Sequence, residues 1–549
     1  MDFDRFRLFG NSRDAHDPAP STDDRRDAFE DARDERDAAA RPADARHRNG
    51  VPAAMPARDD PELLERVDVR PVAEDRPPEP IAPGPSPASA PRSPFLAEPP
   101  RAAAPVAAAP YGTAADEELP ESAPVRPKTV AETGIEHDIL VKLLAKWLQT
   151  VGTATPSRLG AEIKLAKPVI TQLIEAMSKL SLVESRGLQG SPTDMTAEVR
   201  YALTAGGNAL ADDAFEQSKY LGPAPVSLEA FRTQIKKQSI LAEHLDYADI
   251  RRCFSHLVLP EFLVRRLGPA ANSGKTILLY GEPGNGKTSI AEALAGAFRQ
   301  TIYLPYAIEI DGHYISFFDA SVHDRVKRPA TDGQADPYVS SKKRQLDERW
   351  VECKRPVVMT GGELTLDMLD LQFNPFSKFY EAPLHLKAVG GIFIVDDFGR
   401  QQDSPQAILN RWIVPLERKE DFLTLHTGRK FTIPFDELVV FSTNIAPQDL
   451  VDQAALRRLY YKILIPNPSR EDYFQIFRGV CRKHGIGLDE AMLNEFYDDH
   501  YETLGYSPSG HHPKFLIDHV LATCGFIGEE VRLDRALLDE AWKDLYVER

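Results

Sequence analysis

Cysteine is scarce in this 549-residue sequence, and Cys253, Cys353, Cys481 and Cys524 stand far apart without C-x-x-C spacing. That argues against a zinc ribbon or a redox pair and fits reduced, structural thiols. No apolar run approaches the ~18 to 20 residues of a membrane span, and the first residues carry early acids instead of the apolar core of a signal peptide. A cytoplasmic protein with no membrane insertion is expected. Positive charge is also short: 66 Lys and Arg against 83 Asp and Glu leave a net charge of −17. Such a chain does not coat nucleic acid by bulk electrostatics, although a local basic patch stays open. Apolar surface is missing from the first 130 residues, which hold about half of the 44 prolines, alternate Asp with Arg at 23–27 and 34–37, and turn Ala- and Pro-rich at 82–109. A stretch of that kind cannot offset its chain entropy, so a disordered tail is predicted over 1–130. Its first ten residues, with Phe3, Phe6, Leu8 and Phe9, read either as a short docking peptide or as an ordinary terminus.

Against these absences stands one dense signal, Gly281-Glu282-Pro283-Gly284-Asn285-Gly286-Lys287-Thr288, which follows the apolar run Ile277-Leu278-Leu279-Tyr280 and leads through Ser289 into a helical stretch. Strand, glycine-rich loop and helix are the parts of a phosphate cradle. Glycines let consecutive N–H groups face one anion, the helix presents its positive end, Lys287 can reach the outer phosphates and the Thr288 hydroxyl can ligate Mg²⁺. The match to G-x-x-x-x-G-K-[ST] is complete, and it predicts binding of a nucleoside triphosphate, ATP with Mg²⁺.

Upstream, Ile139, Leu140, Leu143, Leu144, Trp147 and Leu148 recur at helical spacing, Thr155-Pro156 opens a second helix through Ile163, and Pro168 starts a third. Two extended runs, 182–185 and 198–204, then flank a Gly- and Pro-containing loop. The segment 133–217 resembles a winged helix-turn-helix domain. Its third helix offers Lys164, Lys167, Lys179 and Arg186 against Glu175 and Glu184, a thin footprint for DNA phosphates. Docking of a protein, or packing on the chain's own next domain, is preferred, with DNA as the alternative. Tyr220 to Pro225 reads as a linker, and 250–267 as helices packed ahead of the core where adenine contacts lie in such folds.

Downstream, Gly391-Ile392-Phe393-Ile394-Val395-Asp396-Asp397 places two acids at the end of a fully apolar strand, where the ligand crevice of an open α/β sheet opens. Asp396 is read as the metal residue and Asp397 as the group that orients and deprotonates water. A further apolar strand, 438–441, ends in Ser442-Thr443-Asn444, whose amide could hold the attacking water or the terminal phosphate; Arg457-Arg458 follow before the strand at 461–465. In this order the parts resemble the AAA+ ATPases over about 240–545. The resemblance implies an α/β parallel-sheet core with a C-terminal helical lid, sensor 1 at Asn444, an arginine finger at Arg457 or Arg458 acting on the neighbouring subunit of a homo-oligomeric ring, and sensor 2 near the start of a late lid helix, where Lys514 stands. Family members more often have Glu where this chain has Asp397. The adjacent His511 and His512 are expected to cap that helix. Within the long connection 305–389, with its Asp311-Gly312-His313 turn, polar loop 327–343 and strand at 357–359, Phe379 and Tyr380 are read as ordinary core packing ahead of a helix at 384–388, with a substrate-gripping pore loop as the alternative that the resemblance implies, and Glu363 is a residue that could couple substrate to hydrolysis.

The expected organisation is a tail at 1–130, a winged-helix-like domain at 133–217, a linker at 218–245, an α/β nucleotide domain at 246–467 and a helical lid at 468–549. The expected function is an Mg-dependent ATPase remodelling a protein partner. The alternatives are a nucleic-acid-associated ATPase that uses the winged helix for DNA, and a nucleotide-dependent assembly switch.

Overall fold

In the computed structural model, which describes residues 120–189, 197–326 and 346–546, three α-helices open the first module. α1 (His137–Val151) buries Leu140, Leu143, Leu144 and Leu148. α2 (Pro156–Ile163) is capped by Thr155, whose hydroxyl accepts from Arg158 N, and has proline in its first turn; α3 (Lys167–Lys179) likewise begins at a proline. An antiparallel pair, β1 (Val183–Gln189) and β2 (Glu198–Leu203), and then α4 (Ala205–Gln217) complete the module.

The predicted linker is not slack. Lys146, 1% exposed, donates to the carbonyls of Ser218 and Tyr220 at 3.0 and 2.6 Å, and Ala224 N donates to Ile163 O. Tyr220 stacks on Tyr314 with centroids 4.7 Å apart. The segment then enters a sheet as β3 (Val226–Ser227) before α5 (Leu228–Lys237), α6 (Tyr247–Cys253) and α7 (Glu261–Asn272). Nor does the predicted tail run to 130. Ser122 O accepts from Gln234 Nε2, Pro124 O accepts from Asp347 N, and Ala123 is buried. These contacts join chain segments more than a hundred residues apart, beyond the reach of local composition. The rest of the tail, with its docking peptide, and the polar loop 327–343 lie outside the described residues.

β4 (Ile277–Tyr280) and α8 (Lys287–Ala295) bracket the glycine-rich loop. A side structure follows: β5 (Thr301–Pro305) pairs with β8 (Trp350–Lys354), and β6 (Ala307–Ile310) turns back through Asp311-Gly312, both at positive φ, into β7 (His313–Ser316). After β9 (Val357–Thr360) the hairpin β10 (Gln372–Asn374) and β11 (Phe379–Glu381) joins this side structure, giving a mixed sheet of order β10-β11-β7-β6-β3. Phe379 and Tyr380 therefore pack in the core, as expected, and not on a pore loop. Tyr380 is 1% exposed, with its hydroxyl bonded to His426, and Phe379 packs edge-on against Tyr220.

α9 (Leu384–Lys387), β12 (Ile392–Val395), α10 (Pro405–Arg411), α11 (Ile413–Arg418), the hairpin β13 (Glu420–Thr424) and β14 (Lys430–Pro434), β15 (Leu438–Thr443), α12 (Pro447–Leu450), α13 (Gln453–Leu456) and β16 (Tyr461–Leu464) complete the core. Five strands form one parallel sheet in the order β16-β4-β15-β12-β9. Successive side chains of a strand point to opposite faces. Ile277, Leu279, Ile392, Ile394, Leu438 and Val440 thus pack with α6, α7 and α8, while Leu278, Phe393, Val395, Val439 and Phe441 pack with Trp412 and Phe398 on the other face. Both faces are covered, which is why these strands are uninterrupted apolar runs.

Beyond Pro466-Asn467-Pro468, α14 (Arg470–His484), α15 (Glu490–Tyr497), α16 (His512–Ile527) and α17 (Arg535–Leu545) enclose a separate core of Tyr473, Phe477, Phe496, Leu516, Val520 and Trp542. The described residues fall in one unit, Pro105–Arg549. Among them all four thiols are free, and no helix is long and apolar enough to cross a membrane.

Candidate functional site

The glycine-rich loop leaves β4 at Gly281, whose φ is +145° and whose added Cβ would lie 2.3 Å from Ile465 O. Any other residue would force the loop away from β16. The loop ends at Lys287, the first residue of α8, with Thr288 and Ser289 following in its first turn. Lys287 Nζ donates to Gly281 O at 3.1 Å and Glu282 O at 2.9 Å, which folds the ammonium back over the loop. Burial lowers its pKa, and Asp396, Asp397 and Glu282 oppose that shift as counter-charges. Glu282, Pro283 and Gly284 form the exposed rim, and Asn285 and Gly286 close the turn.

Thr288 Oγ1 stands 3.0 and 2.9 Å from the two oxygens of Asp396, at the end of the next-but-one strand. A hydroxyl and a carboxylate converging this way are two hard oxygen donors, the set by which Mg²⁺ is held when phosphates and water supply the rest of its octahedron. The residues fit Mg²⁺.

Asp397 follows in a left-handed conformation, φ +47°, and is exposed. The turn is fixed from below, because Phe398 N donates to Ser442 O at 2.7 Å and Thr443 Oγ1 donates to Phe398 O at 2.6 Å. Those bonds bring Asn444 beside Asp397, with Nδ2 3.3 Å from Oδ1. Gln401, which sequence reasoning missed, donates from Nε2 to Asp396 O and Gly361 O, both at 3.1 Å, and so ties the acidic turn to the end of β9. No motif spacing marks it. Glu363 is exposed at that same end, and its carboxylate accepts from Gly361 N at 2.8 Å.

Arg457 and Arg458 lie elsewhere. Together with Lys275, Thr276, Glu417 and Tyr460 they line a cavity of about 430 Å³. Lys275 and Thr276 precede β4 whereas the loop follows it, so the strand's length of roughly 13 Å separates the arginines from their own loop. Arg458 forms an ion pair with Glu417 at 3.1 Å and donates to Ala454 O at 2.7 Å; Arg457 is exposed, and its guanidinium has no partner among the described residues.

The lid touches the loop through residues that the sequence did not single out for it. Ser509 Oγ lies 3.1 Å from Pro283 O, and Gly510 N donates to Asn285 Oδ1 at 3.1 Å. The two histidines do not cap α16: its N-cap, His511, makes no side-chain capping bond, and His512 is buried with Nδ1 2.8 Å from the Tyr501 hydroxyl. His511 lies instead over Gly284, where an added Cβ would come 2.0 Å from Nδ1. Burial lowers the pKa of His511 and pushes that of His512 down to about 4. Lys514 is exposed, and among the described residues no hydrogen bond or ion pair joins it to the loop. A niche of about 40 Å³ between core and lid is lined by Val258, Leu259, Pro260, Ile465 and Ile476 and by the polar side chains of Asn285, Asn467 and Asp472. It was hidden in sequence because its walls come from four separate segments.

Among curated protein sequences, none matches this chain. Of solved structures, a crystal structure of NtrX from Brucella abortus is similar at 12% identity over 58% of this chain and 61% of that one, with a TM-score of 0.33. The chain thus spans about three fifths of that protein. A mutant form of Thermotoga maritima RuvB is similar at 12% identity over 56% of this chain and 74% of that one, with a TM-score of 0.30. Residues 469–544, the lid helices, match a family described as a domain of unknown function (DUF8689). Residues 277–359 match the family model described as ATPase family associated with various cellular activities (AAA). The phosphate loop thus lies in a stretch that matches the AAA family, and the parallel sheet that carries the acids has the α/β architecture of an AAA+ core.

Proposed function

We propose that the chain binds ATP at 281–289, hydrolyses it, and uses the cycle to remodel a protein partner as a cytoplasmic homo-oligomer. The observation that carries the hydrolytic part is the convergence of Thr288 and Asp396 at 2.9 Å beside Asp397 and Asn444. In this reading the loop N–H groups and Lys287 hold the phosphates, Thr288 and Asp396 hold Mg²⁺, and Asp397 takes the proton of a water that Asn444 helps to orient. Mg²⁺ would offset charge on the phosphate oxygens. The niche beside Ile476 would admit a nucleobase as the lid lifts, and Lys514 would enter from the lid.

The arginines supply the oligomeric part. Arg457 is the free one among the described residues, too far from its own loop to serve it, and completes the site of a neighbouring subunit; Arg458 is held by Glu417. The module at 133–217 serves as a winged helix that docks protein, the stretch to 245 connects it, 246–467 is the nucleotide domain and 468–549 the lid. DNA is the weaker partner, since Lys167 on the outer face of α3 is taken by Glu198 and Glu175 shares that face. Two experiments test the reading. Phosphate release is measured with Mg²⁺ and with chelator, and the Asp397→Asn protein loaded with ATP is used to capture its partner. Absence of Mg-dependent turnover in the wild type overturns the hydrolytic part, and salt-sensitive retention of DNA in place of protein overturns the choice of partner.

A further inference from the structure

The variable positions of a phosphate loop lend their N–H groups to the cradle and leave their side chains free. In this chain one such side chain is fully engaged. Asn285 donates from Nδ2 to Asn467 Oδ1 at 2.6 Å, and its Oδ1 lies 3.1 Å from both Gly510 N and Ser509 Oγ. Asn467 sits in the connection from β16 to α14, where the lid departs from the core; Ser509 and Gly510 precede α16, where the lid returns to it. One amide thus touches both ends of the lid's seat. Ser509 adds a second tie, since its single proton can serve Pro283 O or Asn285 Oδ1, and its Oγ also lies 3.0 Å from His511 Nδ1. The approach is close, because a Cβ on Gly510 would meet Gly284 O at 3.2 Å and one on Gly284 would meet His511.

We infer that Asn285 is a positioning residue that makes the lid's seating and the shape of the phosphate cradle one equilibrium, an inference that rests on the ATP reading of this loop. Coupling of this kind is reciprocal: a nucleotide that orders the loop seats the lid, and a seated lid tightens nucleotide. The amide suits the task because it donates and accepts at once. Alanine does neither, and aspartate loses the donor while adding negative charge beside the phosphates.

The test is a double-mutant cycle in the full chain with Asn285→Ala, Ser509→Ala and the pair, read as Kd for a fluorescent non-hydrolysable ATP analogue with Mg²⁺. Hydrogen exchange over 505–516 in nucleotide-free protein supplies a second readout. Each single change weakens binding by about 5- to 20-fold, the lower part of the typical range of coupling. The double variant is no weaker than Asn285→Ala, and 505–516 exchanges faster in Asn285→Ala while 470–484 stays protected. Wild-type affinity in both single variants, or losses that multiply in the double, overturns the inference. Failure of the ATP reading looks different: Lys287→Ala would bind the analogue like the wild type, while exchange over 505–516 would still separate Asn285→Ala from it.

Discussion

Asn444 holds Asp397 by one hydrogen bond, Nδ2 to Oδ1 at 3.3 Å, between the ends of two neighbouring parallel strands. A carboxylate restrained from one side keeps its other oxygen for water. On the proposed roles, Asp397→Asn retains ATP and loses turnover by about 10² or more, the scale of a missing general base. Asn444→Ala, which frees the carboxylate without removing it, loses less. Steady-state phosphate release beside nucleotide affinity reads both; equal loss of binding in Asp396 and Asp397 variants would show the two roles misassigned.

Lys287 and Thr288 separate on a different axis. Lys287→Ala removes the ammonium that Gly281 O and Glu282 O hold over the loop, and ATP binding is lost with or without metal. Thr288→Ala leaves Asp396 without its hydroxyl partner, so only the Mg-dependent part of the affinity falls. Titration calorimetry with and without Mg²⁺ tells them apart.

The two arginines are expected to behave unequally. Arg457→Ala abolishes turnover while each subunit still binds nucleotide, and Arg458→Ala costs less because Arg458 is committed to Glu417. Mixing Arg457→Ala with Lys287→Ala should restore activity, since one protein brings an intact cradle and the other an intact finger. A monomer by light scattering with ATP, whose turnover neither substitution changes, removes the trans mechanism.

His512 makes the lid acid-sensitive. Its imidazole is buried neutral, with a pKa pushed down to about 4 by desolvation and by neighbouring His511, against about 6.5 when unfolded. The unfolded chain therefore binds the extra proton first. Stability is complete above pH ~6.5, falls as pH drops from there toward ~4, and is lost by no more than about 3 kcal/mol from this group. Hydrogen exchange of α15 and α16 between pH 7 and 5 shows the slope, and His512→Gln flattens it.

The phosphate loop, the acidic strand end, Asn444 and the three helices of the first module were legible because each depends on neighbours in sequence. Apolar runs such as Ile392–Val395 announce a strand covered on both faces, and Thr155-Pro156 announces a helix start. The mixed sheet was not legible. β3 has two residues and β11 three, too few to show alternation, and each is a strand only because a distant partner supplies its hydrogen bonds. Phe379 and Tyr380 therefore read as core but not as strand residues, and it is the pairing of Tyr380 with Ile315 that turns that ring inward. Gln401 and Ser509 went unnoticed for a related reason: their partners are backbone carbonyls and an amide, which no motif spacing records.

The clamping of Tyr220 between Lys146 and Tyr314, followed at once by the pairing of Val226 with Ile308, has a mechanical meaning. The helical module has no slack at its root. Pull on its hairpin, and the load passes through the mixed sheet to β5, a few residues beyond the helix that begins with Lys287. On the other side of the phosphate loop Pro466-Asn467-Pro468 leads to a lid with its own core, so on the proposed cycle a stroke would be movement of the lid against the rest of the described chain.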